Sequence, residues 1–141
     1  MSTNWFKDMQ EMHKKYGVNK WMQAEKQSDV DIRRFNKFME FRIGMMQEEL
    51  DETKNAYKEN NAEEMVDGII DLCVFAIGTL EVFGVDANKA WDEVYKANMS
   101  KEVGIKEGRP NPLGLPDLVK PEGWEGPVHE DNCGNITDSF Q

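Results

Sequence analysis

Hydrophobic residues recur every three or four positions from residue 3 to about residue 101, and this spacing is typical of amphipathic helices. Five segments carry the pattern, and we expect helices at about residues 3–16, 19–26, 32–58, 62–83 and 86–101. No run of alternating β-branched residues bounded by turns predicts a strand. The pattern therefore favours an all-α fold in which the helices form a bundle.

Some of the predicted helix ends carry residues suited to them. Ser2 or Thr3 is suited to cap the first helix, and Gly17 suits the left-handed position that ends it. Asp29 or Asp31 is suited to cap the third helix.

The fourth predicted helix has a wider apolar surface than one neighbouring helix would cover. A helix of this kind is usually central in a bundle and is also covered by another subunit. We therefore expect a homo-oligomer. The apolar residues concerned are Ile69, Ile70, Leu72, Val74, Phe75, Ile77 and Leu80.

Composition changes sharply after Lys101, because all 5 prolines of the chain lie beyond it together with several glycines. Proline removes a backbone donor and interrupts helices. We expect a helical domain over residues 1–101 and an irregular Pro/Gly-rich C-terminal tail over residues 102–141.

Charge and composition exclude several classes of partner. The 141 residues carry a formal net charge of −10, which argues against a general basic surface for nucleic acid. No apolar run approaches the roughly 20 residues of a membrane span, and the first residues lack a signal peptide's apolar stretch. Cys73 and Cys133 show neither zinc-site spacing nor a disulfide framework. We expect a cytoplasmic protein with no membrane or nucleic-acid partner.

Acidic residues continue the apolar stripes of the third and fourth predicted helices, at positions where a plain bundle would have leucines. Antiparallel packing of these helices would bring the two acidic groups to face each other. A buried, unpaired carboxylate is costly, so such a group needs a counter-charge, and a divalent cation supplies it. The two stripes are Phe38, Phe41, Met45, Glu49, Glu52 and Ala56, and Glu64, Asp67, Asp71, Val74, Gly78 and Val82.

The simplest alternative is a solvated acidic surface, since Glu-x-x-Glu spacings arise by chance in a chain with 27 acidic residues. The position of these acids within the apolar stripe, on two successive helices, favours metal binding. Oxygen ligands without His or Cys indicate Mg²⁺, with Mn²⁺ as the alternative. Such an ion holds phosphate and lowers the pKa of water, so the expected reaction class is hydrolysis at a phosphate. Gly68 indicates a close approach to the helix backbone, by a ligand or by a neighbouring helix.

Cationic residues beyond the fifth predicted helix are candidates for phosphate binding. Lys101, Lys106 and Arg109 follow Asn98, the polar residue that ends the apolar row of that helix. The alternative is an ordinary solvated positive patch. Since the chain has no glycine-rich phosphate loop, phosphate binding would depend on the metal and on cationic side chains.

The arrangement Glu48-Glu49-x-x-Glu52 followed by Glu64-x-x-Asp67 resembles the two-part acidic signature of the all-α nucleoside triphosphate pyrophosphohydrolases. This superfamily includes MazG, the dimeric dUTPases and phosphoribosyl-ATP pyrophosphohydrolase. The resemblance covers about residues 35–101, including Asn98-Met99-Ser100-Lys101 at its end. The chain with its Pro-rich tail also resembles the single-domain MazG-like proteins of bacteriophages, some of which, called MazZ, act on guanine nucleotides.

The resemblance implies a MazG-like helical bundle that forms a homodimer or a dimer of dimers, which is a homotetramer. It implies Mg²⁺ at the positions of Glu49, Glu52, Glu64 and Asp67 and an assisting or base role for Glu48, whereas the part played by Asp71 stays open. The implied reaction is attack of water at the α-phosphorus of a (d)NTP, with dGTP or GTP as a candidate, giving the (d)NMP and pyrophosphate. The alternatives are a phosphoribosyl-ATP pyrophosphohydrolase and a non-catalytic helical metal-binding or interaction module.

Overall fold

The computed structural model describes residues 3–27 and 33–140. All five predicted helices are present, and two short strands and a 3-10 helix follow them. The helices are α1 (Trp5–Tyr16), α2 (Val18–Gln27), α3 (Arg33–Lys58), α4 (Ala62–Val82) and α5 (Ala87–Met99), the strands are β1 (Glu102–Gly104) and β2 (Asp117–Val119), and the 3-10 helix is Ile136–Ser139.

The chain divides into two compact units. The first unit comprises residues 1–87 and 133–141, and the second comprises residues 88–132. The first unit therefore holds α1 to α4 and the end of the chain, and the second holds α5 from Asn88 onward with both strands. The domain boundary after residue 101 stays a prediction.

The cap of α1 differs from the expected one. Asn4, rather than Ser2 or Thr3, is the N-cap, and its side chain accepts a hydrogen bond from the Lys7 N–H at 3.0 Å. Asn is among the preferred N-cap residues because its short side chain reaches the free N–H groups of the first turn. Gly17 ends α1 with φ of 76°, as predicted. The cap expected at Asp29 or Asp31 lies outside the described residues.

α3 packs against α4 and buries one residue in every seven along that side. The predicted stripe was wrong in part, because Phe41 is 58% exposed and Arg42 is buried in its place. A seven-residue repeat places its members on one side of a helix. The buried row is Phe35, Arg42, Glu49 and Ala56.

Aromatic rings and a hydroxyl group explain how Arg42 can be buried. Its guanidinium lies over the rings of Phe38 and Phe75, and its Nε donates to Thr79 Oγ1 at 3.1 Å. Arg42 Nη2 is also buried, next to Gly78 of α4. A Cβ at Gly78 would lie 2.7 Å from that nitrogen, so a side chain at this position of α4 would displace the Arg42 guanidinium.

The hydrophobic core of the first unit lies where α2, α3 and α4 meet. It is formed by Met22, Phe35, Val82 and Phe83, with Phe83 fully buried. Ile136 of the 3-10 helix packs against this core, and the Asn135 N–H donates to the Phe83 carbonyl at 2.6 Å. The last residues of the chain therefore belong to the fold of the first unit.

The second unit contains a strand pair that the sequence pattern did not predict. β1 and β2 are antiparallel, with Glu102 opposite Val119 and Gly104 opposite Asp117. Each strand has three residues, which is too short for a period-two pattern to be recognised. The expectation of a chain without strands was therefore wrong for this segment.

Among the described residues, no single helix combines the length and the apolar composition that a membrane crossing requires, although α4 and α5 pass that test when taken together.

Candidate functional site

Glu49 is a carboxylate that α3 holds away from water. It is 8% exposed, and its Oε2 is buried and has no hydrogen-bond partner among the described residues. Burial raises the pKa of the Glu49 carboxyl, and the negative charges of Glu52, Asp71 and Glu48 raise it further. Burial disfavours the charged form and nearby like charges add to that effect. Among the described residues, the charges that act on Glu49 are all negative.

Two close contacts define how α3 and α4 lie against each other. Gly78 of α4 packs on Arg42 of α3, and Gly68 of α4 packs on Thr53 of α3. A Cβ at Gly68 would overlap Thr53 Oγ1, and that hydroxyl donates to the Glu49 carbonyl at 2.8 Å. The close approach that Gly68 predicted is therefore a helix-to-helix contact.

Between these two contacts, the register of the helices brings Asp71 of α4 near Glu49 of α3. Glu49 is seven residues after Arg42, and Asp71 is seven residues before Gly78 on the antiparallel helix. Asp71 is half-buried, and its charge acts on Glu49. The charges of Glu52, Asp71 and Glu48 thus all act on the buried Glu49.

The other predicted acids are exposed in the first unit. Glu48 and Glu52 lie on α3, and Glu64 and Asp67 lie in the N-terminal part of α4, before Gly68. The Glu64 N–H donates to the side-chain oxygen of Asn61, the N-cap of α4, at 3.2 Å. The structure therefore places Glu49 and Asp71, rather than all predicted ligands, on the inner side of the helix pair.

The carboxylates are the kind of ligand that a hard divalent cation prefers, but their side chains are not arranged as a complete metal site. Within residues 3–27 and 33–140, no three His, Cys, Asp or Glu side chains converge as a ready-made metal site. Carboxylate oxygens are the ligands that Mg²⁺ prefers, and a buried oxygen without a partner indicates a missing counter-charge. Glu49 provides that oxygen, and the side chain of Glu52, one turn away, already interacts with the Glu49 carboxyl.

All three predicted substrate-binding cations lie in the second unit, and their charges act on the carboxylate of Asp117. Arg109 Nη1 donates to Asp117 Oδ2 at 2.9 Å, and Lys106 Nζ lies 4.0 Å from Asp117 Oδ1. A hydrogen bond from the Leu118 N–H lowers the pKa of the Asp117 carboxyl, and the charges of Arg109, Lys106 and Lys101 add to this. These three cations form a local positive cluster.

Lys101 and Asn98 have further contacts within the second unit. Lys101 Nζ lies 5.2 Å above the centre of the Trp124 ring, and Lys120 Nζ lies 4.9 Å from the same ring. Trp124 Nε1 donates to the Ala97 carbonyl at 2.8 Å, which ties the Pro/Gly-rich segment to α5. Asn98 is exposed, and its carbonyl accepts from the Lys101 N–H.

Arg42 was not among the predicted residues of interest. The sequence does carry a signal for its burial, because Phe35, Arg42, Glu49 and Ala56 recur at seven-residue intervals. The sequence also indicates that Asp71 faces inward, since Asp71 continues the helical stripe that runs through Val74 and Gly78.

Residues 17–98, more than half of the 141 residues, match the family described as phosphoribosyl-ATP pyrophosphohydrolase. The chain belongs to this family. The phosphoribosyl-ATP pyrophosphohydrolase family is helical and related to MazG, so the resemblance noted in the sequence is confirmed. Searches of curated proteins and of solved structures gave no match.

Membership of the phosphoribosyl-ATP pyrophosphohydrolase family shows that the protein is a hydrolase acting on phosphoric anhydrides. Enzymes of this family usually use divalent metals. The matched region includes α3, α4 and every predicted acidic residue, and it ends at Asn98. Lys101, Lys106 and Arg109 lie beyond it.

Proposed function

We propose that this pyrophosphohydrolase hydrolyses a nucleoside triphosphate in the presence of Mg²⁺. Water attacks the α-phosphorus, and the products are the nucleoside monophosphate and pyrophosphate. The observation that carries the proposal is Glu49, a buried carboxylate whose Oε2 has no partner and whose neighbours are other carboxylates. A site of this kind suits a cation together with the phosphate groups that the cation attracts.

In this proposal Glu49, Glu52, Glu64 and Asp67 hold Mg²⁺, and Glu48 assists or accepts a proton from the attacking water. When bound, the ion would neutralise charge on the phosphate oxygens and make water more acidic. Glu52, Glu64 and Asp67 are exposed and are therefore free to change rotamer as the ion and the substrate bind. Mn²⁺ would replace Mg²⁺, because both ions take oxygen ligands.

The second unit carries the residues that we propose for phosphate binding. Lys101, Lys106 and Arg109 carry positive charge, and Asn98 offers a neutral donor on an exposed part of α5. The ion pairs of Lys106 and Arg109 with Asp117 support the assignment, because they bring two cations close together. In the proposed complex, phosphate oxygens would replace the Asp117 carboxylate as the partner of these cations.

A second candidate substrate is phosphoribosyl-ATP. The description of the matched family favours it. The chemistry is the same, since phosphoribosyl-ATP also releases pyrophosphate from a triphosphate. Among the common nucleoside triphosphates, dGTP and GTP should be tested first, because the sequence resembles phage proteins that include MazZ.

We also propose that the chain acts as a homodimer or homotetramer. Several large apolar residues of α4 are exposed on the surface of the single chain, including Val66, which is 64% exposed, and Ile69 and Ile70. Soluble proteins rarely leave a contiguous apolar patch of this kind on a helix uncovered. A second copy of the chain would cover it.

The test is an assay of the full chain with Mg²⁺ against the deoxy- and ribonucleoside triphosphates and phosphoribosyl-ATP. We expect equal amounts of monophosphate product and pyrophosphate, and the substrate with the highest kcat/KM identifies the base. Glu49→Gln should lower kcat/KM by about 100-fold or more. Glu63→Gln, at an exposed acid of α4, is the matched control and should keep wild-type activity.

Three results would overturn the proposal. They are orthophosphate with the nucleoside diphosphate as products, no turnover of any of these substrates, or wild-type activity in Glu49→Gln. The absence of turnover would instead support a non-catalytic metal-binding or interaction module.

A further inference from the structure

We infer that the second unit binds a nucleotide, with the base stacked on Trp124 and the phosphate bound by Lys101 and Lys120. These three residues lie after residue 98, where the family match ends. The site uses Lys101, which the proposed function already assigns to phosphate binding. The inference therefore rests on that function and adds to it the residue that binds the base.

An open cleft in the second unit is large enough for a nucleotide. Its volume is about 550 Å³, and it lies between the second half of α5 and residues 121–128. Pockets that bind small molecules have volumes of about 300–1,000 Å³. The residues that line the cleft all belong to the second unit, so the cleft is a property of that unit alone.

Hydrogen bonds fix the position of Trp124 in the cleft. The indole Nε1 donates to the Ala97 carbonyl at 2.8 Å, and the Trp124 backbone N–H donates to the Pro121 carbonyl at 3.1 Å. Further along the same segment, the Val128 N–H donates to Glu93 Oε2 at 3.2 Å. The ring is half-buried and lines the cleft. A ring that is already ordered loses little conformational freedom when a ligand stacks on it.

Two lysine ammonium groups lie over the Trp124 ring. Lys101 Nζ is 5.2 Å from the ring centre, and Lys120 Nζ is 4.9 Å from it. Lys120 is exposed, and a cation–π contact at an exposed site is weaker than the stacking of a base on an aromatic ring. A base would therefore displace the Lys120 ammonium from the ring. The flexible lysine side chain would keep that ammonium within reach of the phosphate of the same nucleotide.

Carboxylates in the lining determine which way the nucleotide lies. Glu93, Glu122 and Glu125 line the cleft together with Lys96. Carboxylate oxygens accept hydrogen bonds from sugar hydroxyls and from the amino groups of bases, but they repel phosphate. We therefore expect the phosphate beside the two lysines at the ring. The formal net charge of −10 opposes a long nucleic acid, so the favoured ligand is a single nucleotide.

The test is isothermal titration calorimetry of the full chain with GMP in EDTA, which removes any metal from the acidic site. Trp124→Leu should weaken GMP binding by about 10-fold or more, because it removes the stacking surface. Trp91→Leu is the matched control, since it makes the same substitution at an exposed tryptophan of α5. The GMP affinity of this control should stay within about twofold of the wild type.

Ribose 5-phosphate, titrated in the same way, measures the contribution of the base. This compound has the sugar and the phosphate of GMP but no ring to stack on Trp124. It should bind the wild type about 10-fold more weakly than GMP does, or weaker still.

Two further variants separate base binding from a merely structural role of Trp124. Trp124→Phe keeps an aromatic face without the indole N–H, so it should retain more GMP affinity than Trp124→Leu. Lys120→Gln should weaken GMP binding by about threefold and leave guanosine binding unchanged, because guanosine has no phosphate. Lys20→Gln, at an exposed lysine of α2, is the control for that charge and should bind GMP like the wild type.

Steady-state kinetics with Mg²⁺ connect the cleft to the proposed function. A base that is bound equally in the ground state and in the transition state contributes to KM and not to kcat. With the best nucleoside triphosphate, Trp124→Leu should therefore raise KM by about 10-fold and change kcat by less than about twofold.

The outcomes distinguish the inference from the proposed function. If the wild type hydrolyses nucleotides and both Trp124 variants bind GMP as tightly as the wild type, the inference is overturned and the proposed function stands. If GMP binds through Trp124 in EDTA but no triphosphate is hydrolysed with Mg²⁺, the inference stands and the proposed function is overturned.

Two results with other ligands would also contradict the inference. Ribose 5-phosphate that binds as tightly as GMP would mean that the base is not recognised. A short single-stranded oligonucleotide that binds through Trp124 more tightly than GMP would assign the cleft to nucleic acid. Weaker GMP binding in Trp124→Leu and Lys120→Gln, with unchanged controls, supports the nucleotide site.

Discussion

At the scale of single residues, α3 holds two buried side chains of opposite charge seven positions apart. Arg42 lies over aromatic rings, next to the buried contact between His13 Nδ1 and Glu81 Oε2. Burial lowers the pKa of the Arg42 guanidinium, and the charge of Glu81 partly restores it. Glu49 has no comparable cation beside it among the charges that act on it. We therefore expect a bound metal ion to stabilise the charge of Glu49 far more than that of Arg42.

The raised pKa of Glu49 predicts how stability depends on pH when no metal is bound. The folded chain binds more protons than the unfolded chain from the usual Glu pKa of 4.5 up to the raised value. The free energy of unfolding therefore falls as pH rises through that window and stays lower above it. Glu49→Gln removes this loss. In EDTA it should melt at a higher temperature than the wild type at pH 7 and at a similar temperature near pH 4.

Thermal unfolding in EDTA and in Mg²⁺ at both pH values checks this prediction. Mg²⁺ should raise the melting temperature of the wild type and have less effect on Glu49→Gln. Glu63→Gln serves as the control, because that side chain is exposed at the start of α4. A Glu49→Gln variant that is less stable than the wild type at pH 7 in EDTA would contradict the explanation.

At the scale of elements, the acidic site depends on how closely α3 and α4 approach. Gly68 and Gly78 are both buried, and side-chain atoms of α3 occupy the space where their Cβ atoms would be. Overpacking of such a contact typically costs about 1–3 kcal/mol. The two glycines therefore keep the register that brings Asp71 near Glu49.

Alanine at these glycines should destabilise the protein despite the better helix propensity of alanine. We expect Gly68→Ala and Gly78→Ala to lower the free energy of unfolding by about 1–3 kcal/mol in urea denaturation. Gly44→Ala is the matched control, because Gly44 is also helical and no atom lies within 4 Å of its Cβ position. That variant should gain up to about 1 kcal/mol.

A double substitution tests the cause. Thr53→Ala removes the hydroxyl that would meet a Cβ at Gly68. In the Thr53→Ala background, Gly68→Ala should therefore cost clearly less than it does in the wild type. An unchanged cost would mean that the contact between Thr53 and Gly68 does not explain the need for glycine.

At the scale of the whole molecule, the proposed assembly rests on exposed apolar surface. Val66, Ile69 and Ile70 of α4 are exposed, although α4 also supplies Val82 to the core. One helix thus has apolar residues on its inner and its outer side. Association of two or four chains would remove the outer residues from water.

A charge on the outer side of α4 should therefore separate the subunits. We expect the wild type to elute with the mass of two or four chains in size-exclusion chromatography with light scattering. Ile70→Asp should shift the mass towards one chain while circular dichroism stays helical. Gln10→Asp is the control, because it places the same charge at an exposed position of α1. A wild type with the mass of one chain would contradict the proposed assembly.

The sequence by itself determined the helices, the positions of the acids along them and the family. These features are local, because the three- to four-residue periodicity reports which side of a helix is apolar. The ends of α3 and α4 agree with the pattern to within one residue, and the acidic motif lies inside the region that matches the family. The general chemistry, cleavage of a phosphoric anhydride, follows from the family.

The tertiary structure alone decided which acids face the partner helix. Periodicity on α3 placed Phe41 in the stripe, but the rings of Phe38 and Phe75 and the hydroxyl of Thr79 make Arg42 the buried residue. The short strands β1 and β2 are likewise defined by pairing between distant residues. The burial of Glu49 and its proximity to the charge of Asp71 depend on the register of two helices, and register is a property of the contact between them rather than of either helix.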